Sequence, residues 1–248
     1  MRHESCTLRI RWVESNYDTG LLHSNLAFPL LKKLAELGNI TAKYKFKEEI
    51  VKRIKSTNQS VIDYLYEMKY TSYLTKEELF HGILTTEDAL IMEKIFQITN
   101  SNYSIISDFR QLEYGRSDEN LRISIANGRV KELEVLLDWG RPVLPRILSG
   151  LKQLKNLRLY ISEITEKVPI FNAKIKTLEI LEICSWANID LPDSFFKFPN
   201  LKQLTLSLFI SNDTLESIGN LEFLEFLKLN NTKLKRLPNS IDKFYQKQ

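Results

Sequence analysis

The chain has 248 residues, 43% apolar and 27% charged, which allows a sizeable core and argues against wholesale disorder. Its net charge of +4 is uneven: 16 Lys+Arg face 17 Asp+Glu in residues 1–120, and 19 face 14 in residues 121–248, well short of an obvious nucleic-acid domain. Eight glycines leave few phosphate-holding turns, Cys6 and Cys184 make no disulfide framework, and no run approaches the roughly 20 apolar residues of a membrane span. The opening "MRHESCTLRIRWVES" lacks the apolar stretch of a signal peptide, so a cytoplasmic location is expected.

Residues 26–98 carry a helical period. "FPLLKKLAELG" sets Phe28, Leu31, Leu34 and Leu37 on one face, with Gly38 at a C-cap position. "TAKYKFKEEIVKRIKS" does the same with Phe46, Ile50, Val51 and Ile54. "QSVIDYLYEMKY", "TKEELFHGIL" and "TTEDALIMEKIFQI" read as further short helices. The last two each open on a threonine able to cap, followed by acidic residues in the first turn. A helical domain of four or five short helices is expected, with its join filling residues 1–120.

The join is polar at its centre and ends in "RISIANGRVKEL", a hairpin whose Asn127-Gly128 supplies the left-handed turn. Its second arm runs into a repeat. A first apolar anchor falls at Val130, Leu154, Leu178, Leu201 and Leu224, in steps of 24, 24, 23 and 23. A second falls at Leu133, Leu157, Leu181, Leu204 and Leu227, and a third at Val135, Leu159, Ile183, Leu206 and Leu229. A closing anchor falls at Leu144, Val168, Leu191, Leu215 and Leu237, followed by Pro145, Pro169, Pro192, Glu216 and Pro238. Four registers kept over five copies set this apart from chance.

On those residues the segment 121–248 resembles the leucine-rich-repeat family, with units of about 23 residues in the pattern L-x-x-L-x-L-x-x-N-x-L. The phrase "LLKKLAELG…AKYKFKEEI" also resembles the helical segment ahead of the repeats in some archaeal members. The resemblance implies an α+β chain in which a helical N-terminal domain precedes a solenoid, a curved parallel sheet of about five repeats. No unit could bury its apolar side alone, so neighbours would share one core. The sequence departs from the family where it usually has Asn, with Asp138, Ser162, Trp186, Phe209 and Thr232 instead. Trp186 and Phe209 cannot accept the loop bonds that Asn would, so local rearrangement is expected there. The hairpin would cover the first strand. At the other end, either the tail after Ile241 covers the last repeat or that end self-associates or meets a partner.

Chemistry-bearing patterns are sparse. No HExxH, CxxC, GxGxxG or GxxxxGK[ST] occurs. His3 and Cys6 are too few for a zinc site, and Cys184 has no histidine nearby in sequence to activate it. Glu48-Glu49 and Glu77-Glu78 are adjacent on helices and diverge by about 100°, which suits solvated faces. His23 and His81 read as surface or half-buried helix residues. No catalytic residue, metal site or cofactor is expected, and the chain reads as a non-enzyme.

Alternation alone turns Glu132, Glu134, Asn156, Arg158, Tyr160, Ile180, Glu182, Gln203, Thr205, Ser207, Phe226, Lys228 and Asn230 outward on the strands. By family resemblance they line a concave, partner-binding face, acidic at the first repeat and basic at the last, with Tyr160, Ile180 and Phe226 as apolar points. The expected function is a non-catalytic protein–protein adaptor or scaffold whose partner is unknown. One alternative is RNA or anionic-surface binding by the basic helices 32–55, where Lys43, Lys45, Lys47, Lys52 and Arg53 would carry it. The weaker basic spot Lys233, Lys235 and Arg236 reads as solvated. A third reading, regulation of a small GTPase or a ubiquitin system, rests on family analogy.

Overall fold

The structure, a computed structural model, describes residues 10–22, 24–99, 103–106, 121–137, 147–161, 175–188, 198–209 and 216–230. Outside them lie His3, Cys6, His23, the closing anchors 144, 168, 191, 215 and 237 with the four prolines after them, Asp138, Ser162, Thr232, the Lys233–Lys235–Arg236 spot and the tail. The chain divides into two compact units, Met1–Ile83 and Leu84–Gln248.

The first unit is helical: α1 (Ser24–Glu36), α2 (Ile40–Lys55), α3 (Gln59–Glu67), a 3-10 turn (Tyr70–Tyr73) and α4 (Lys76–Ile83). Local chemistry sets the boundaries. Gly38 takes φ +88° after α1. The Asn39 and Asn58 side chains accept the amides of Ala42 and Val61, capping α2 and α3. Thr75 and Glu78 cap α4 reciprocally, each side chain accepting the other's backbone N–H. Apolar side chains three and four apart then close a core of Phe28, Leu31, Phe46, Ile50, Ile54, Leu65 and Phe80. Phe28, Phe46 and Tyr70 meet at its centre, with ring centroids 4.9–5.8 Å apart. The expected α1 stripe is shorter than its spacing suggests. Leu34 is half-buried and Leu37 is 74% exposed, because α1 ends at Glu36 and Leu37 belongs to the turn.

The second unit opens with α5 (Thr86–Thr99), followed by one sheet with strands in chain order: β1 (Tyr103–Ile106), β2 (Leu121–Ala126), β3 (Arg129–Leu137), β4 (Asn156–Ile161), β5 (Ile180–Asn188), β6 (Gln203–Phe209) and β7 (Phe226–Asn230). All neighbours are parallel except β2 and β3, the hairpin, whose Asn127 and Gly128 both adopt positive φ. The whole is therefore α+β, a helical region followed by a mostly parallel sheet. Strand β1 was not foreseen.

From β3 to β7 the register is regular. Leu133, Leu157, Leu181, Leu204 and Leu227 stand opposite one another, as do Val135, Leu159, Ile183, Leu206 and Leu229. The first four members of each row are fully buried. Ahead of β4 to β7 a tight turn bonds the amides of Leu154, Leu178, Leu201 and Leu224 to the carbonyls of Leu151, Ile175, Phe198 and Leu221. One backbone bond recurs at each step: Lys155 N–H to the Lys131 carbonyl, Glu179 to Lys155, Lys202 to Glu179 and Glu225 to Lys202, each 2.8 Å. At Trp186 and Phe209 the backbone stays in strand, so that β5 and β6 run on to 188 and 209. Their register shifts between Cys184 and Asn188.

Helix α5 belongs with the sheet because of Asp88. Its carboxylate is fully buried and accepts from the Val130 amide and from Arg129 Nη1, each 2.9 Å. The Thr85 amide adds a bond to the Gly128 carbonyl, so the start of α5 grips the hairpin turn. Removing this carboxylate strands a buried amide, and Asp88→Ala is expected to cost about 2 kcal/mol in chemical denaturation. Asp88→Asn, which keeps one acceptor, should lose less.

Candidate interaction face on the sheet

The thirteen outward residues fall into three rows across the strands. Glu132, Asn156, Ile180, Gln203 and Phe226 form the first; Glu134, Arg158, Glu182, Thr205 and Lys228 the second. The third holds Tyr160, Ser207 and Asn230, with Cys184 between them. Alternation therefore brings all of them to one side of the sheet.

Their environments differ sharply along that face. At the β2–β5 end the second row is an alternating charge ladder. Arg122 Nη1 donates to Glu134 Oε1 at 2.8 Å, Arg158 Nη1 stands 3.6 Å from Glu134 Oε2, and Arg158 Nε lies 3.2 Å from Glu182 Oε2. Arg122, Glu134 and Glu182 are 7–8% exposed. The expected acidic surface at the first repeat is thus reduced: Glu134 is paired and buried within the chain, and Glu132 is half-buried. In the first row Asn156 Nδ2 donates to Glu132 Oε1. Tyr160 and Ile180, expected as exposed apolar points, are only partly accessible.

Burial governs the titration of this end. It raises the Glu134 carboxyl above its ordinary value, against the pull of Arg122 and Arg158. It also drives the Tyr160 hydroxyl far up, helped by the charges of Glu134 and Glu182. The Cys184 thiol, 3.9 Å from Glu182 Oε1, is pushed up to about 11, by burial first and Glu182 next. A raised thiol pKa lowers the thiolate share at neutral pH.

The β6–β7 end is open. Gln203 and Lys228 are exposed, Phe226 is 51% exposed, and Phe223 in the preceding turn is 59% exposed. Thr205, Ser207 and Asn230 are half-buried, with Asn230 Nδ2 donating to Ser207 Oγ at 2.9 Å. The Phe226 ring, Lys228 and neutral polar groups make the accessible part of the face, with Phe223 exposed in the turn ahead of it. Phe223 was missed by sequence reasoning because it lies off the strand, where alternation gives no guidance.

The basic helices offer less free charge than their composition suggested. Lys45 pairs with Glu48 and Lys47 with Glu78, both at 2.6 Å, while Lys52 and Arg53 share Glu49 at 3.8 and 3.2 Å. The Arg53 guanidinium also sits over the Phe28 ring, 4.2 Å from its centroid. Among the described residues no cluster of three or more His, Cys, Asp or Glu could hold a metal, and no helix is long and apolar enough to cross a membrane.

The ladder yields two expectations. Arg158→Met leaves two buried carboxylates facing each other without their shared cation, at a cost of about 3 kcal/mol in urea unfolding. Because the folded Glu134 pKa is raised, the folded state holds its proton to higher pH than the unfolded chain does. The stability advantage of wild type over Glu134→Gln should therefore shrink as pH rises above the ordinary carboxyl range. An advantage that grew with pH would mean that the arginines outweigh burial.

No protein-family model matches the chain, and no curated protein or solved structure matches it at a significant level.

Proposed function

We propose that residues 121–248 form a leucine-rich-repeat solenoid of about five units, and that the chain is a non-catalytic interaction module binding a protein partner on the outward face of the strands. One observation carries the reading. The same 2.8 Å backbone bond joins equivalent residues 131, 155, 179, 202 and 225, which supports units stacked by one repeated step. Stacking of that kind makes a ribbon of parallel strands whose outward side chains are free to differ, which is how solenoids present binding surfaces.

The charge ladder moves the centre of that surface. Glu134, Arg158 and Glu182 are already ion-paired with one another, so a partner that displaced them would leave buried charge behind. Phe226, Phe223, Gln203 and Lys228 are the anchors instead, with Tyr160 and Ile180 at the margin. The ion pairs along α2 weigh against nucleic acid as the main ligand.

The test uses the intact chain as bait in an extract of the source organism. Phe226→Ala is expected to reduce the affinity of the captured partner by about tenfold or more while the melting temperature stays unchanged. Replacing Lys43, Lys45, Lys47, Lys52 and Arg53 with glutamine should leave capture intact. An extract in which no captured partner weakens on Phe226→Ala contradicts the assignment.

A further inference from the structure

Helix α2 has two apolar sides. Ala42, Phe46, Ile50 and Ile54 point into the core of the helical unit. A second row, Ile40, Tyr44 and Val51, recurs at helical spacing on another side, and Ile40 and Tyr44 are 70% and 64% exposed. Beside that row runs a groove of about 450 Å³, whose apolar lining comes from Tyr44, Val51 and Leu74. Gly82 of α4 also lines it. A Cβ at Gly82 would stand 2.9 Å from Val51 Cγ2, so the glycine lets α4 lie this close to α2.

The charges around the groove do not cancel. Its two carboxylates are already taken, Glu78 by Lys47 and Glu48 by Lys45. Of its remaining cations, Lys52 has only a 3.8 Å approach to Glu49, and Lys55 has no acidic partner among the described residues. A helix C-terminus favours cations nearby, which accounts for basic residues in the last turn of α2. It does not account for an exposed aromatic and apolar row leading up to them.

We propose that this groove docks an acidic amphipathic helix of another protein, its apolar row against Tyr44, Val51 and Leu74 and its carboxylates toward Lys52 and Lys55. The dimensions suit it. Tyr44 and Val51 lie two helical turns apart, about 10.5 Å along α2, the span that anchors at i, i+3 or i+4, and i+7 of a docked helix would cover. The unbalanced lysines select acidic flanks over basic ones, and their exposure makes the selection salt-dependent. This surface lies on the helical unit, so its success or failure is independent of the reading of the sheet face.

The experiment selects binders to the intact chain from a displayed library of amphipathic helices with randomised flanks, and measures the affinities of the selected peptides. Selected peptides are expected to carry Asp or Glu beside an i, i+3/i+4, i+7 apolar row. They should lose about tenfold or more in affinity for Tyr44→Ala and for Lys52→Glu/Lys55→Glu, at unchanged melting temperature. The double charge reversal should favour peptides with basic flanks. A selection without acidic enrichment, or binders indifferent to both variants, would overturn the proposal. So would saturable binding of oleate that needs Lys52 and Lys55 and excludes every selected peptide, since the groove would then belong to an anionic amphiphile.

Discussion

Leu157 has Leu133 on one side and Leu181 on the other, and none of the three keeps any exposed surface. A strand of five or six residues with an all-aliphatic inward row cannot remove that row from water alone; it must lie against a neighbour with the same row in the same register. Most of the second unit is a consequence of that requirement. Strand order equals chain order, the spacing between equivalent residues stays at 23 or 24, and the period of two then fixes which side chains face outward. The first strand of such a series would be left bare. Here the β2–β3 hairpin covers it, and Asp88 of α5 holds the hairpin in turn.

On the outward side, charged residues occupy a face that is partly shielded, and they respond by pairing with one another. Glu134 and Glu182 are stabilised by flanking arginines, and the ladder runs across strands because identical spacing places one charge beside the next. Such an arrangement stabilises less than an apolar one would, but it punishes misregister, since a slip of one residue would bury a carboxylate against leucine. On the function proposed above, recognition falls to β6 and β7, where neutral polar groups and the exposed Phe226 ring replace the ladder. On that proposal one face carries two tasks, register at one end and contact at the other.

Much of the fold was legible because periodicity reports burial. Helices α1 to α5 and the strand register of β3 to β7 follow from the spacing of apolar residues alone. The features that escaped depend on events that spacing does not encode. Counting back from the Ala126–Arg129 pair places Arg122 opposite Leu133, on the inward side. A register shift between Ser124 and Ile125 brings it opposite Glu134 instead, and so completes the ladder. The exposure of Leu37 turned on where α1 stops, and the assignment of α5 to the sheet turned on the bonds of one aspartate. Of the outward face, membership was legible but accessibility was not. Alternation says which way Glu134 points, and says nothing of whether it is paired and shielded.

The central claim is that one aliphatic seam runs strand to strand, coupling each unit to its neighbours alone. Double-mutant cycles in equilibrium unfolding test it directly. Leu157→Ala with Leu181→Ala, adjacent in the seam, should show a coupling of about 1 kcal/mol, because the two cavities share a wall. Leu133→Ala with Leu204→Ala, three strand spacings or about 14 Å apart, should be additive. Additivity for the adjacent pair, or equal coupling for the distant one, would contradict a core built by stacking.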